Sequence, residues 1–442
     1  MCKRLKQNKM KKIYILILAI CMMNIANAQW QMSNNGLTGG NINCIAINGN
    51  NIFAGSSGGC FLSTDNGSNW NAINSGLSSN QVYTLAIKGN YIFAGTYNKG
   101  VYLSTNNGSS WNTVNNGLNN NSVHALAING NNIFAGTSGN GIFLSSNNGN
   151  SWNQVNNGIP SNTYVNSIII KDTNIYAGTN RGIFISTNEG ISWNAINNGM
   201  PTSVYVNSLF INGNNIFAGT SGNGIYLSTN NGNSWSLMNN GLTNTFIRSM
   251  AINGNILYVG TNNGVYLSTN SGISWNPMNN GMPSNTYINS LVISGNNLFA
   301  GTFGEGIYMY SNNSGNWVAV NSGLTANFIK TIVINNGIII AGTTNGIWKR
   351  PLSEIVGVEE ISNNNILLYP NPAYNYLTLN ISQLKNLQNT TVYIYDIQGK
   401  LLLQHQIQLS ITELDISLFT KGMYIIKVNN ENEIFTSKFI KQ

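Results

Sequence analysis

The chain has 442 residues, of which 42% are hydrophobic and only 7% are charged, and its formal net charge is +8. Six Lys and Arg side chains lie within the first 12 residues, so the rest of the chain carries only +2 and gives no indication of nucleic-acid binding. Since His124 and His405 are the only histidines, the sequence offers no Cys/His cluster for zinc, and we expect neither a metal nor a cofactor.

Residues 1–28 have the pattern of a secretory signal peptide. A basic stretch is followed by an apolar run at 13–23 and by the small-residue sequence ANA at 26–28, which predicts cleavage before Gln29. The apolar run is too short to span a bilayer comfortably, and no other segment reaches the length needed. We therefore expect Sec export into the periplasm and no membrane-spanning segment.

Between residues 30 and 352 the sequence repeats with a period of 40 to 42 residues. In the repeat at 206–242 we predict four short strands, the first two joined by an Asn-Gly pair typical of a type I′ hairpin. The first strands are nearly continuous apolar runs, as expected for strands buried on both faces. A recurrent Ala-Gly in the second strand leaves room where sheets crowd together. Four strands per repeat predict an all-β protein built from β-propeller blades.

The two ends of the repeat region predict how this propeller closes. The Ala-Gly-Thr-like motif occurs eight times, and its last copy is not followed by a fourth strand. The segment from Trp30 to Leu37 has the sequence of that missing piece. We therefore expect the N-terminal strand to complete the last blade and leave no free edge. This favours eight blades; seven blades with an irregular closure is the alternative, and a linear solenoid explains the complementary ends less well.

Most repeats contain an octapeptide of the form Ser-x-Asx-x-Gly-x-x-Trp, such as STDNGSNW at 63–70. An Asx side chain can accept backbone N–H groups within its own turn, and glycine allows a positive φ, so the pattern predicts a structural hairpin. It resembles the Asp-box, or BNR repeat, of sialidases, sortilin-type receptors, xyloglucanase-type glycosidases and photosystem II assembly-factor propellers. That resemblance implies a turn on the face opposite the functional one. The residues assigned to it are Ser63, Asp65, Gly67, Trp70, Asn106, Trp111, Asn147, Trp152, Asn188, Trp193, Asn230, Trp235, Asn270, Trp275 and Trp317.

The octapeptides and the scarcity of carboxylates both argue against catalysis. Only the first octapeptide has Asp; the others have Asn, the last of them Asn313, and Asn cannot serve as an acid or complete a calcium site of carboxylates. Besides Asp65, the acidic residues in 30–352 are Asp172, Glu189 and Glu305, with Glu305 alone expected on the face opposite the octapeptides. Ordinary glycosidases need a carboxylate pair, and the FRIP segment of sialidases is not recognisable. A sialidase-like or other glycan-degrading hydrolase is therefore the alternative function.

Candidate ligand-binding residues lie on the face opposite the octapeptides. At the entrance to the first strand the side chain changes from repeat to repeat: Asn43, Tyr83, His124, Asn166, Asn207, Arg248, Asn289 and Lys330. The loop after the second strand adds Tyr97, Lys99, Arg181, Phe303 and Glu305, and an aromatic residue recurs before the first strand at Tyr164, Tyr205, Phe246, Tyr287 and Phe328. Such groups suit glycans, peptides or surface polymers. The alternative is that the rings pack between blades and the charges only solvate a rim.

Cys44 and Cys60 are the only cysteines after residue 28. We place them on strands of one sheet that are not neighbours, and two strand spacings of about 4.8 Å exceed disulfide reach. We expect both to be small buried residues, with a disulfide as the less favoured alternative.

A polar linker is predicted at 353–365, followed at 366–442 by alternating strands with glycine turns, enough for a small Ig-like β-sandwich. The segment resembles the type A sorting domain of the type IX secretion system. The resemblance implies transfer by the type IX machinery, usual removal of the domain, and release or anchoring to surface lipopolysaccharide. An ordinary binding sandwich is the alternative. The matching residues include Tyr369, Pro370, Asn371, Pro372, Gly399, Gly422, Tyr424 and 438–441.

The sequence thus predicts a secreted or cell-surface propeller at 29–352 that acts as a binding or scaffold module for a glycan or a protein.

Overall fold

The computed structural model describes residues 29–38, 40–79, 81–120, 122–311, 315–356, 367–382, 387, 390–396, 399–430 and 433–442. The predicted signal peptide and residues 357–365 of the predicted linker lie outside these ranges. The described residues are all-β apart from one helical turn, α1 (Ser353–Val356). The chain divides into two compact units between Ile355 and Val356.

The described part of the first unit contains eight four-stranded antiparallel sheets, here named blades 1 to 8. In blades 1 to 7 the strands follow one another in chain order, whereas blade 8 takes its fourth strand from the N-terminus. The strands are β2 Ile42–Asn48, β3 Asn51–Ser56, β4 Gly59–Ser63 and β5 Asn71–Ala72 in blade 1; β6 Val82–Lys88, β7 Tyr91–Thr96, β8 Val101–Ser104 and β9 Asn112–Thr113 in blade 2; β10 Val123–Asn129, β11 Asn132–Thr137, β12 Ile142–Ser145 and β13 Asn153–Gln154 in blade 3; β14 Val165–Lys171, β15 Asn174–Thr179, β16 Gly182–Ser186 and β17 Asn194–Ala195 in blade 4; β18 Val206–Asn212, β19 Asn215–Thr220, β20 Ile225–Ser228 and β21 Ser236–Leu237 in blade 5; β22 Ile247–Asn253, β23 Ile256–Thr261, β24 Gly264–Ser268 and β25 Asn276–Pro277 in blade 6; β26 Ile288–Ser294, β27 Asn297–Thr302, β28 Ile307–Ser311 and β29 Trp317–Ala319 in blade 7; and β30 Ile329–Asn335, β31 Ile338–Thr343, β32 Gly346–Pro351 and β1 Gln31–Met32 in blade 8.

The N-terminal strand closes the ring, as predicted. β1 pairs antiparallel with β32, with Gln31 opposite Lys349 and Met32 opposite Trp348. The first strands of neighbouring blades contact one another all the way round, including β30 with β2. The indole of Trp30 also donates to a carbonyl at the end of blade 7, so the N-terminal segment ties the last blades together.

Burial of the strands differs from the prediction. The second strand of each blade is the buried one, with the residues of β3 after Asn51 all buried, whereas most first-strand residues are only half-buried. The expectation that first strands are buried on both faces was wrong. First strands contact each other around the ring, so they are innermost and border the central channel, while the second strands lie between neighbouring sheets.

The glycine of each second strand accommodates the next blade. At Gly55 an added Cβ would lie 2.7 Å from Cγ1 of Val82, the first residue of β6, and 2.6 Å from the sulfur of Cys44. A side chain therefore does not fit at this position, which explains the recurrent Ala-Gly.

The hairpin between the first and second strands has a different frame from the predicted one. In blade 5 Asn212 pairs with Asn215, which makes Gly213 and Asn214 the central residues, and of these only Gly213 has a positive φ. That is the pattern of a type II′ turn rather than the predicted type I′. Blade 8 differs, since both central residues, Asn336 and Gly337, have positive φ as a type I′ turn requires.

The hydrophobic core is divided between neighbouring blades. One cluster joins Phe93 and Val101 of blade 2 to Phe143 and Trp152 of blade 3, and similar clusters recur around the ring. Each therefore stabilises an interface between sheets.

Cys44 and Cys60 lie on β2 and β4 with β3 between them, and both are free. Cys60 is buried and Cys44 half-buried, and burial raises the pKa of Cys44 from 9.0 to about 12. The prediction of two cysteines on non-neighbouring strands is confirmed.

The described part of the second unit contains two small sheets. β34 (Tyr376–Asn380) lies between β33 (Leu367–Tyr369) and β37 (Ile411–Asp415). The other sheet has the order β36 (Leu401–Gln406), β35 (Thr391–Asp396), β38 (Gly422–Asn430) and β39 (Glu433–Lys441). Side chains from both sheets, among them Leu377, Ile394, Tyr424 and Phe439, form one buried core, the arrangement of a small sandwich. The start of the predicted linker is the helical turn α1, where Glu354 lies 3.8 Å from Arg350.

Candidate ligand-binding site

The two ends of the ring are built from different loops. Because neighbouring strands are antiparallel, the turn between the first and second strands lies at the same end as the connection between the third and fourth. That connection is the octapeptide, here named the box. The first strand begins at the opposite end, where the loop between the second and third strands also lies. These ends are called the box end and the mouth.

The box is a turn held by its own side chains. In blade 4 the Ser186 hydroxyl donates to Asn188 Oδ1 at 2.9 Å and accepts the backbone N–H of Gly190 at 2.8 Å. Asn188 Oδ1 also accepts the backbone N–H of Ser192 at 3.0 Å. Equivalent bonds occur in the boxes of Asn106, Asn147, Asn230 and Asn270, whereas Asn313 lies outside the described residues. The recurring geometry gives the Asx oxygen a structural function in each described box.

Asp65 makes the same turn with a carboxylate. It accepts the backbone N–H groups of Asn69 and Ser68 at 2.9 Å and the side-chain amide of Asn69 at 2.7 Å. These bonds, above all that from the Asn69 backbone, lower the pKa of Asp65 from 3.8 to about 2. The box of Ser63 therefore uses the charge to accept hydrogen bonds in its own turn, with the Gly67 N–H bonded to the Ser63 hydroxyl at 2.8 Å.

The box tryptophan links its blade to the preceding one. The indole of Trp152 donates to the carbonyl of Val114 at 2.6 Å, and its backbone N–H donates to the carbonyl of Asn116 at 2.8 Å. The buried indoles of Trp111, Trp235, Trp275 and Trp317 likewise donate to a carbonyl of the preceding blade. Two boxes differ: the indole of Trp70 donates to the hydroxyl of Ser33, and that of Trp193 is buried with no bond to its nitrogen. The ring thus packs between blades and not only under its own hairpin.

The predicted mouth residue is the bulged residue of every first strand. In blade 3 Val123 pairs with Thr137 and Ala125 with Gly136, so His124 lies between them without an opposite residue on β11. A bulge changes the direction of the side chain that it carries, which explains why variable residues share one place around the mouth. The same register shift occurs at Asn43, Tyr83, Asn166, Asn207, Arg248, Asn289 and Lys330.

The asparagines of the mouth connect neighbouring blades. Asn207 donates through Nδ2 to the carbonyl of Ile247, the first residue of β22, at 3.0 Å, and its Oδ1 accepts the hydroxyl of Ser221 at 2.9 Å. One N–H of the amide and its oxygen are therefore bonded within the propeller. The bond to the next blade is repeated by Asn43, Asn166 and Asn289.

A cavity of about 570 Å³ opens at the mouth. Of the predicted residues it brings together Asn43, Asn207, Phe246, Arg248, Asn289, Phe303, Phe328 and Lys330, from blades 5 to 8 and blade 1. The predicted residues outside its lining are Tyr83, Tyr97, Lys99, His124, Tyr164, Asn166, Arg181, Tyr205, Tyr287 and Glu305.

Besides Ile247 and Ile329, the first residues of β22 and β30, three polar lining residues were missed from the sequence: Ser221, Asn262 and Thr344. Each directly follows the Gly-Thr that ends a second strand. Tyr97 and Phe303 occupy the same position in blades 2 and 7 and were singled out because they are bulky. Applying that position to every repeat would have found the smaller residues.

Arg248 is held over the cavity by neutral partners. Its Nε donates to Asn262 Oδ1, and its Nη1 donates to Asn289 Oδ1 at 3.3 Å. The guanidinium carbon lies 5.2 Å from the centroid of the Tyr287 ring, within cation–π distance. The guanidinium is thus oriented without a carboxylate.

Lys330 has a similar environment two blades away. Its Nζ donates to Asn43 Oδ1 at 3.0 Å, and partial burial lowers its pKa. The lining residues include no Asp or Glu, so this part of the mouth is electropositive.

Aromatic rings form two groups at the mouth. Phe303 is 54% exposed and lies 4.7 Å from the ring of Phe328 and 6.5 Å from that of Tyr287. Across the mouth Tyr83 contacts Tyr97 and His124, with centroids 5.5 and 5.0 Å apart.

These rings pack against one another and remain partly exposed, and burial has opposite effects on two of the titratable groups. It lowers the pKa of His124 and raises that of Tyr83, so both are neutral at pH 7. The charged predicted residues outside the cavity, Lys99, Arg181 and Glu305, are exposed on loops.

The predicted sorting-motif residues help to hold the second unit together. Asn371 Oδ1 accepts the N–H of Ile440 at 3.0 Å, within the segment Tyr369-Pro370-Asn371-Pro372. Gly399, with φ of +84°, lies in the turn before β36 and donates to the Asp396 carbonyl at 3.0 Å. Gly422 begins β38, and the hydroxyl of Tyr424 donates to the Thr420 carbonyl at 2.6 Å.

Comparison with known proteins identifies both parts of the chain. Residues 367–442 match the model of the secretion system C-terminal sorting domain, and residues 116–246 match that of the DUF6242 beta propeller domain. No curated protein matches the chain in sequence. The chain is therefore a β-propeller with a type IX sorting domain, which points to handling by the type IX machinery and to export to the cell surface or secretion.

Among the similar solved structures, two with TM-scores above 0.5 support the propeller fold. The computationally designed Ika8 protein has 13% identity and a TM-score of 0.55, with 73% of this chain and 100% of that chain covered. Sqt1 of Saccharomyces cerevisiae has 14% identity and a TM-score of 0.55, with 72% and 98% covered. PorZ of Porphyromonas gingivalis, described as an essential bacterial surface component of the type-IX secretion system, has 17% identity and a TM-score of 0.49, with 91% and 66% covered. Among the described residues, no helix has the length and apolarity to cross a membrane.

Proposed function

We propose that the protein is an exported binding module that takes a glycan or protein ligand in the mouth cavity. Secretion would follow the Sec route to the periplasm and then the type IX route. The observation that carries the proposal is the cavity itself, in which variable bulge residues and exposed rings meet. Pockets with apolar walls and a few oriented polar groups are the usual form of a ligand site.

A two-carboxylate hydrolase finds no residues for its chemistry in this cavity. Glycoside hydrolysis of that type needs an acid and a second carboxylate flanking the scissile bond. The lining contains amide, hydroxyl, aromatic, aliphatic and cationic side chains only. Binding without cleavage is therefore the function that the cavity supports best.

The test measures binding of the full-length protein to immobilised polygalacturonate, alginate, dextran, chondroitin sulfate, peptidoglycan and gelatin. Replacing both Phe303 and Phe328 with Ala removes exposed rings from the cavity wall. We expect about a tenfold loss of affinity for whichever polymer binds, since exposed aromatic rings often dominate binding.

The matched control replaces Ile191 and Ile273, which are 70% and 65% exposed in boxes at the opposite end. The Ile191→Ala, Ile273→Ala variant should retain binding. Equal affinity of the two double variants, or binding to none of the polymers, would overturn the proposal.

A further inference from the structure

The mouth cavity has an electrically asymmetric wall. Arg248 of blade 6 and Lys330 of blade 8 line it together with Asn289 of blade 7. Arg248 is bonded to Asn289, and Lys330 to Asn43 of blade 1. Two cations and their amide partners therefore form one continuous arc over four consecutive blades.

Neither cation in this arc has an acidic partner. The nearest groups that bond to them are side-chain amide oxygens, and the ion pair found among the described residues, Arg350 with Glu354, belongs to β32 and α1. Like charges confined to a cleft with low-dielectric walls raise the local concentration of a counter-ion. An anionic group in the cavity would gain attraction from both cations without displacing a protein carboxylate.

The guanidinium of Arg248 is already oriented. Nε and Nη1 are bonded to Asn262 and Asn289, and the guanidinium carbon lies 5.2 Å from the centroid of the Tyr287 ring. Nη2 has no bond to the described residues. A fixed donor costs less ordering entropy when a ligand binds. Arg is also suited to carboxylate recognition by its geometry.

The remainder of the wall favours a saccharide over a peptide. Phe246, Phe303 and Phe328 offer partly exposed rings beside the cations. Flat aromatic rings can pack against the C–H faces of sugars, which otherwise carry many hydroxyl groups. One mode of binding for an extended peptide is addition to an exposed strand edge. The carbonyls at the mouth end of β22 and β30 are already bonded to Asn207 and Asn289.

Resting on the function proposed above, we infer that Arg248 and Lys330 form a carboxylate subsite for an acidic polysaccharide. Acidic sugars of the chain would place their carboxylates against Arg248 and Lys330 while their rings lie against Phe303 and Phe328. Neutral polysaccharides would lose the ionic part of this recognition.

The experiment titrates the full-length protein with polygalacturonate and with its fully methyl-esterified, uncharged form. The variants are Arg248→Gln and Lys330→Gln, alone and together. Matched controls are Arg181→Gln and Lys99→Gln, which remove cations exposed on loops of the same end outside the cavity. Unfolding temperatures of all variants separate loss of binding from loss of folding.

We expect the double variant to bind polygalacturonate at least about tenfold more weakly, and each control to change affinity by less than about twofold. The methyl ester should bind wild type about tenfold more weakly than the acid, and binding of the acid should weaken between about 20 and about 300 mM NaCl.

Four results would overturn the inference. Equal losses in the controls would indicate non-specific attraction to a basic surface, and tighter binding of poly-L-glutamate would indicate an acidic peptide. If the ester binds as well as the acid and only the Phe303→Ala, Phe328→Ala variant loses affinity, the carboxylate subsite fails while the proposed function stands. If neither the aromatic nor the cationic variants lose affinity, both fail.

Discussion

At the scale of single residues, the box shows how an amide can replace a carboxylate when only an acceptor is needed. Asn188 and Asp65 both accept the N–H four residues ahead of them, at 3.0 and 2.9 Å. The carboxylate differs in being able to lose this function on protonation. The first box is therefore the one whose described turn depends on pH.

Replacing Asp65 with Asn should make blade 1 less sensitive to acid. The pKa of Asp65 in the folded protein is about 2, below its usual 3.8, so its contribution to stability is present above pH 3.8 and is lost as the pH falls through about 2. We expect little change in unfolding temperature at pH 7 and a smaller decline for Asp65→Asn between pH 4 and pH 2. Tryptophan fluorescence follows this, because all nine tryptophans lie between residues 30 and 348.

Glu189→Gln is the control, since Glu189 lies in the box of blade 4 but its neighbour Asn188 is the Asx acceptor. A decline below pH 4 that is identical in Asp65→Asn and wild type would contradict the prediction.

At the scale of elements, the packing of one sheet on the next depends on the missing side chain of a glycine. An added Cβ at Gly301 of β27 would lie 2.5 Å from Cγ2 of Ile329 and 2.9 Å from Cδ1 of Ile332. Both isoleucines belong to β30 of the next blade and are buried, so neither can move freely into solvent.

Gly301→Ala should therefore destabilise the propeller by about 1–3 kcal/mol, the usual cost of overpacking. Chemical unfolding of the full-length protein, followed by tryptophan fluorescence, measures this. Gly40→Ala is the control, because there the nearest atom, the carbonyl oxygen of Thr344, would lie 3.5 Å from the new Cβ. An equally small effect at both positions would show that the sheets can separate to admit a methyl group.

The order of the strands could be predicted from the sequence, but their burial and the register of their turns could not. Repeated turns and the tryptophan period determine the hairpins, and the partial repeat at Trp30 predicted the pairing of β1 with β32. Apolar runs in the first strands were misinterpreted because a strand beside a central channel and a strand between sheets have similar compositions. The turn at Gly213 was placed one residue out because pairing register depends on both strands.

The sequence predicted where the candidate site lies but not which residues line the cavity together. The bulge places Arg248, Asn289 and Lys330 at one end of the ring, as their place in the repeat indicated. Which of the eight bulge residues share a cavity depends on side-chain directions and on small loop residues such as Asn262. Those are properties of the assembled ring.

At the scale of the whole molecule, the chain combines a propeller with a domain that addresses it for export. Deleting residues 367–442 should leave the propeller in the periplasm of a host with the type IX system, because the sorting domain is the part recognised by that machinery. Cell fractionation with immunodetection measures this. The Arg248→Gln, Lys330→Gln variant keeps the domain and should reach the surface or the medium. Normal surface display of the truncated protein would contradict the assignment.

The pairing of β1 with β32 also means that the repeats in the sequence do not coincide with the blades in the structure. Blade 8 combines strands from the two ends of the repeat region. A repeat in the sequence and a blade in the structure are therefore offset by one strand. Recombination between two of the similar repeats would add or remove one whole repeat and leave the pairing of the first and last strands unaltered. The number of blades, and with it the circumference of the ring and the width of the mouth, can therefore change by one blade at a time during evolution without leaving an unpaired edge strand.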